Sequence, residues 1–193
     1  EIISRIEKAG QKAEADVVVI EIGGTVGEYE NILFLETARM MKLRAKEDVM
    51  FVMVSYIPVP SNIGEMKTKP TQHAVRNLNA VGIQPDVIIA RSEVPMDQKR
   101  KDKLAMFCNV SPDAIISAPD VGSIYDVPVN FEKDKLGNLL MKILNLPRRG
   151  SNGRFSQWQR FAKNVKNYEN GLNIAIVGKY FDTGDFVLSD AYL

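Results

Sequence analysis

Four short stretches of this 193-residue chain hold residue types that can do chemistry. Glu21-Ile22-Gly23-Gly24-Thr25-Val26-Gly27 sets one carboxylate ahead of a glycine-rich break. With no bulky neighbour, such a carboxylate can reach Mg²⁺, which in nucleotide sites takes one or two carboxylates plus phosphate oxygens. It can equally be hydrogen-bonded to loop amides. The glycine spacing matches neither a Walker A loop nor the dinucleotide fingerprint. Glu28-Tyr29-Glu30 supplies two acceptors and a ring just before a helix. They can accept from an exocyclic amine or ribose hydroxyls, or cap the helix, whose dipole favours acids there. Gly64-Glu65-Met66-Lys67-Thr68-Lys69-Pro70-Thr71-Gln72-His73 gathers two lysines, two threonines and a glutamine around a helix start marked by Pro70. Free N–H groups at a helix start attract anions, and two ammonium groups add point charges suited to a polyphosphate. A solvated basic turn is the plainer alternative, but cations at that end oppose the dipole unless an anion offsets them. Asp120-Val121-Gly122-Ser123 offers an acid for an exocyclic amine and a glycine for close approach of a purine, or forms an ordinary turn.

Other reactive types are sparse. His73 is the sole histidine and reads as a capping or packing residue; no serine–histidine–acid arrangement can be built on it. Cys108, beside Phe107 on a helix face, reads as core rather than nucleophile, and no Cys/His spacing fits a metal. Lys99-Arg100-Lys101 reads as a solvated helix face, and spacing does not separate Lys103 from it. From Arg148 to Lys166, Arg, Lys, Phe and Trp interleave. That pattern suits base stacking, but an amphipathic linker helix laying its aromatics on a domain is the preferred reading.

The elements that must position these groups alternate. Glu1 to about Ala13 has helical spacing, and Asp16 to Ile22 reads as a strand apolar on both faces. A helix from Asn31 to about Lys46, with a Phe34, Ala38, Met41 and Ala45 stripe, leads to a second buried-type strand, Val49 to Tyr56, ended by Pro58 and Pro60. Pro70 to about Val81 is a helix closed by Gly82; Asp86 to Ala90 is a third strand. Asp97 to Cys108 is a helix, Ala114 to Ala118 a fourth strand, and Phe131 to Leu146 a helix stopped by Pro147. This alternation predicts an α/β fold, a mostly parallel sheet with helices on both faces. Ligands of such sheets bind beyond the carboxyl ends of the strands, where the four stretches fall.

Composition agrees. Hydrophobic residues are 45% and charged residues 25%, so disorder and fibrous classes are excluded and a normal core is expected. The formal net charge is +1, not the footprint of a dedicated nucleic-acid binder. One cysteine forms no internal disulfide and points to a reducing, cytoplasmic compartment. No apolar run approaches the ~20 residues of a membrane span. Glycine, serine and arginine take over at Arg148-Arg149-Gly150-Ser151-Asn152-Gly153, the best linker candidate, followed by a helix with Trp158, Phe161 and Val165 on one face. Asn173 to Gly178 reads as a new strand. The expected division is residues 1–147, a linker at 148–171, and the opening of a second domain at 172–193. The chain starts without Met inside a helix, as a piece of a longer protein would.

Six motifs occur in a fixed order: Glu21 to Gly27, Lys67 to His73, Gly82-Ile83-Gln84-Pro85-Asp86, Phe107-Cys108-Asn109-Val110, Ser123-Ile124-Tyr125 and Val177-Gly178-Lys179-Tyr180. Through them the chain resembles the CTP synthases over essentially its whole length. The resemblance implies the second half of a P-loop-NTPase-like amidoligase domain, the linker, and the first strand of a glutamine amidotransferase domain. It implies a homotetramer that makes CTP from UTP, ATP and glutamine-derived ammonia, with no nucleic-acid or membrane partner. The ATP phosphate loop would precede this chain, and the glutaminase nucleophile would follow it, so the chain alone is expected to be inactive. By resemblance Glu21 is a Mg²⁺ ligand; Lys67, Thr68, Lys69, Gln72 and Lys103 cradle the UTP or CTP triphosphate; Asp120 and Val121 meet the ATP adenine. Glu28, Tyr29 and Glu30 match the segment that reads the feedback inhibitor CTP. The commonest family form has Asp-Ile-Glu at those three positions, and the stretch Phe181 to Ser189 is longer here than the family's usual connection. Two rival readings are another ATP-dependent ligase of similar fold, dethiobiotin-synthetase-like, and a non-catalytic nucleotide-binding or assembly fragment. A requirement for UTP over uridine separates the first, and light scattering with and without nucleotide tests the second.

Overall fold

The computed structural model describes residues 1–62, 64–147, 153–167, 171, 173 and 175. In chain order the elements are α1 (Ile2–Lys12), α2 (Ile32–Arg44), β1 (Val52–Tyr56), α3 (Lys69–Ala80), β2 (Val87–Ser92), α4 (Gln98–Cys108), β3 (Ile115–Pro119), α5 (Val127–Phe131), α6 (Leu136–Ile143) and α7 (Arg154–Val165). The strands form one parallel sheet, β1-β2-β3, with Val52 opposite Val87 and Ile88 opposite Ile115. α3 and α4 are the crossovers. No helix among the described residues is long and apolar enough to cross a membrane.

Strand periodicity sorts the core into two layers. Met53, Ile88, Ala90 and Ile115 meet Val75 and Leu78 of α3 and Leu104, Ala105 and Cys108 of α4, with Leu35 of α2 beside them. Val87 and Ile116 point the other way, onto Leu136 and its α6 neighbours. Helices on both faces are therefore as expected. The second layer does not reach β1, whose burial alternates so that Val52, Val54 and Tyr56 stay exposed. β1 is thus buried on one face only, not on both as its apolar run suggests.

Local signals explain most boundaries. Pro70 sits in the first turn of α3, and Gly82 just past its end takes φ +80°. The Asp97 carboxylate accepts from the Arg100 N–H and caps α4. Gln84 donates to the carbonyls of Cys108, Asn109 and Pro85, tying off the carboxyl end of α4 where Asn109 turns left-handed. Two of the recurring motifs, Gly82 to Asp86 and Phe107 to Val110, thereby meet as structural partners.

Three expectations are corrected. Asp16 to Ile22 is no strand: it pairs with no described strand, and Val17 to Ile20 are exposed, Val19 at 92%. β-branched composition favours a strand, but a ladder exists only where a neighbour supplies it. Ile22 and Val26 still pack on the first core layer. The helix from Phe131 to Leu146 is divided into α5, a 3-10 turn Glu132–Asp134, and α6, because Lys135 adopts φ +57°. In α2 the buried position is Leu35, not Phe34, which is 47% exposed. The helix of the linker is present as α7. The expected strand from Asn173, the Arg148–Asn152 junction, the Val177–Tyr180 motif and the Phe181–Ser189 stretch lie wholly or mostly outside the described residues.

Candidate functional site

At the carboxyl end of β1 the chain returns through Pro58 and Pro60 to the start of α3. The Lys67 N–H donates to the Pro58 carbonyl at 2.9 Å, fixing the height of this segment. Thr71, fully buried, shares a 2.8 Å hydrogen bond with Ser55 and pins α3 to β1. Thr68 is buried at the N-cap, and the Gln72 Nε2 donates to its hydroxyl at 3.2 Å. Gln72 is itself buried, and its Oε1 meets no donor among the described residues. Lys69 is exposed at the first position of α3, and His73 lies exposed one turn on.

Glu65 organises the cations here. Its carboxylate accepts from the Lys67 ammonium at 3.0 Å and lies 3.8 Å from the Arg100 guanidinium. Its pKa is held below the ordinary carboxylate value, first by the Lys67 hydrogen bond and charge, then by the charges of Arg100 and Lys103. Lys67 and Arg100, from separate elements, are therefore brought to one acidic side chain, and the charge of Lys103 acts on it as well. The run Lys99-Arg100-Lys101 suggests a solvated face for Arg100; instead Asp97 also binds it, from its own turn. Lys101 also departs from that reading, since its ammonium is mostly buried and pairs with Asp134 at 2.6 Å. The spacing of Lys99-Arg100-Lys101 on α4 carries no signal of these different destinations.

The glycine loop sits beside the start of α2. The Asn31 Nδ2 donates to the Thr25 carbonyl at 2.7 Å, and one Glu28 oxygen accepts from the Thr25 N–H at 2.9 Å. A Cβ on Gly24, at φ +81°, would come within 2.5 Å of that Glu28 oxygen. Glu28 thus closes the loop, which leaves Glu30 and the exposed Tyr29 free to face solvent. Asn31, whose type and position carry no motif signal, is buried, with its Oδ1 unpaired among the described residues. Glu21 is exposed and without a partner among the described residues, and a Cβ on Gly23 would meet nothing within 4 Å. A single accessible carboxylate with that clearance fits a Mg²⁺ whose other positions are filled by phosphate oxygens and water. No cluster of three or more metal-ligating side chains occurs among the described residues.

At the carboxyl end of β3, the Asp120 N–H donates to the Ser92 carbonyl at 2.9 Å, and its side chain, with Val121 and Gly122, faces solvent. Arg91, also exposed, lies at the same end of β2 and is another cation the sequence reading did not single out. Cys108 is buried among apolar side chains, its thiol pushed up by desolvation to about 11, so it is core and no nucleophile.

These features define an α/β protein with an open parallel sheet, cations and acids off the carboxyl ends of its strands, and a glycine loop beside the start of α2. The family model for the CTP synthase N-terminus matches residues 1–146, and the chain belongs to that family. It is similar to the CTP synthases of Caldanaerobacter subterraneus (43% identity over 100% of this chain) and Methanococcus maripaludis (45% over 98%). That of Methanocaldococcus jannaschii is 46% identical over 92% of the chain. The chain spans about a third of the length of these relatives, 35%, 35% and 32% respectively.

Proposed function

We propose that this chain is the nucleotide-binding second half of the amidoligase domain of a CTP synthase, and that it holds the triphosphate of UTP. The parent enzyme phosphorylates the uracil 4-oxygen: N3 loses its proton, the 4-oxygen attacks the γ-phosphorus of ATP, and ADP leaves. Ammonia released from glutamine then attacks carbon 4, loses a proton, and expels phosphate to give CTP. Two polyanions must be aligned for this, which requires cations and orientation more than covalent help.

One observation carries the reading: cations of two separate elements, Lys67 before α3 and Arg100 on α4, pair with Glu65 beside the start of α3, where the charge of Lys103 also acts. Glu65 balances their charge, and a triphosphate would take over that role, with Lys69 and the first N–H groups of α3 facing it. Thr68 would offer its hydroxyl, oriented from behind by Gln72. Glu21 would hold Mg²⁺, which when bound supplies charge neutralisation on the phosphates. Asp120 and Val121 would border the adenine of ATP. Glu30 and Tyr29 would read the base and ribose of CTP, with Glu28 shaping the loop that carries them. Residues 148–171 would link this domain to a glutaminase domain beginning near 172, in a cytoplasmic homotetramer.

The test is calorimetric titration of UTP, CTP and UMP with Mg²⁺ into wild type and Lys69→Ala. The expected result is preference for triphosphates, weakened about tenfold or more by Lys69→Ala, the size of one lost charge-assisted hydrogen bond. UMP binding as tightly as UTP, or an unchanged Lys69→Ala, overturns the reading.

A further inference from the structure

The segment after β3 is anchored unevenly. At its start, Asp120 is held through its main chain, but Asp120, Val121 and Gly122 face solvent, and a Cβ on Gly122 would meet nothing within 4 Å. The Ser123 hydroxyl accepts from the Tyr125 N–H at 3.3 Å, a local turn that attaches the loop to nothing else.

What holds its far end is α7. The Trp158 indole N–H donates to the Tyr125 carbonyl at 3.0 Å. The Tyr125 ring meets Trp158 and Phe161 edge-on, with centroids 6.1 and 4.9 Å away. One residue further, Asp126 pairs with Lys166 at 2.6 Å. α7 has one buried residue, Ala162, and packs chiefly on this turn. An apolar side chain could cover the same surface. An indole N–H bonded to a main-chain carbonyl also fixes the position of the backbone, because the bond is directional.

We infer that Trp158 is a positioning residue for nucleotide binding: from α7 it holds the Tyr125 backbone, and through it the orientation of the Asp120–Val121 edge. This rests on the reading of Asp120 and Val121 as the border of the ATP adenine. α7 then works as a strap whose seating and ATP affinity are linked, and by reciprocity a bound ATP tightens the strap. The inferred role is specific to ATP, since the UTP cradle lies on α3 and α4 whereas α7 packs chiefly on the turn after β3.

The experiment is steady-state kinetics of the complete enzyme that carries this chain, with ATP and UTP varied separately. Trp158→Phe keeps a ring and removes the donor; Lys166→Met removes the second anchor at a half-exposed position; Asp120→Ala tests the underlying reading. Trp158→Phe is expected to raise KM for ATP about fivefold, the order of one neutral hydrogen bond. Its kcat and its KM for UTP stay within twofold of wild type. Lys166→Met is expected to shift KM for ATP in the same direction and remains decisive if Trp158→Phe does not fold. An effect of Asp120→Ala on KM for ATP, with none from Trp158→Phe or Lys166→Met, overturns the strap. Equal changes for both substrates also overturn it, as the mark of a merely structural role. No effect of Asp120→Ala overturns the adenine reading itself and the inference with it.

Discussion

Single side chains here acquire their roles from neighbours far away in sequence. Lys67 stands in a motif and Lys103 is named by resemblance alone, but only the fold shows that Glu65 pairs with Lys67 and that Arg100 lies against the same carboxylate. Gln72 has the residue type of a ligand contact, and the structure buries it with its Nε2 on the Thr68 hydroxyl and its Oε1 without a donor among the described residues. Burial follows from the helix face turned toward the sheet, which no local run of letters specifies. Cys108 is the opposite case, since its place among Leu104 and Ala105 follows from helical spacing alone. Its thiol, raised to about 11, keeps its proton in the folded state after an unfolded chain has lost its own near pH 8.5. Stability from this group is complete below about 8.5 and declines as pH rises toward 11, because the unfolded state then binds fewer protons. Thiol-specific labelling at pH 8 should be slow in native protein and fast in denaturant; fast native labelling would contradict the burial.

At the scale of elements, the ends of helices were more legible than their faces. Pro70, Gly82 and Asp97 mark boundaries because proline, a left-handed glycine and an N-cap each act within a few residues. The break between α5 and α6 was hidden, because Lys135 takes φ +57° without the glycine that usually announces it. Val17 to Ile20 show the converse, a strand composition left without a ladder. Gly82 gives a direct test. At φ +80° an alanine is strained, and its Cβ would stand 2.8 Å from the Arg39 side chain, which can swing aside. Gly82→Ala is therefore expected to destabilise by about 1–2 kcal/mol, mostly from the backbone. An unchanged urea midpoint would refute that cost.

For the molecule as a whole, the alternation of strands and helices identified the α/β class, while the extent of each layer depended on which helices lie over which strands. The outer edge of β3 is finished by side chains: the Asp134 carboxylate accepts from the Ser117 N–H at 2.7 Å, and Asn130 donates to the Ser117 carbonyl at 3.0 Å. The same carboxylate receives the Lys101 ammonium, so one acid joins the sheet edge, the 3-10 turn and α4. Asp134→Ala leaves an unpaired main-chain N–H and a mostly buried lysine. It should cost about 2–4 kcal/mol, read as a lowered midpoint in denaturant, with Asp134→Asn intermediate. Loss below 0.5 kcal/mol would show that the edge is held by packing alone.

The two borders of the sheet are thus chemically unlike. On the β3 side the hydrogen-bonding capacity of Ser117 is spent on side chains; on the β1 side no described residue extends the ladder, and Val52, Val54 and Tyr56 keep one face apolar and wet. A further strand would meet, beside β3, a Ser117 already occupied by Asp134 and Asn130, and beside β1 no strand among the described residues.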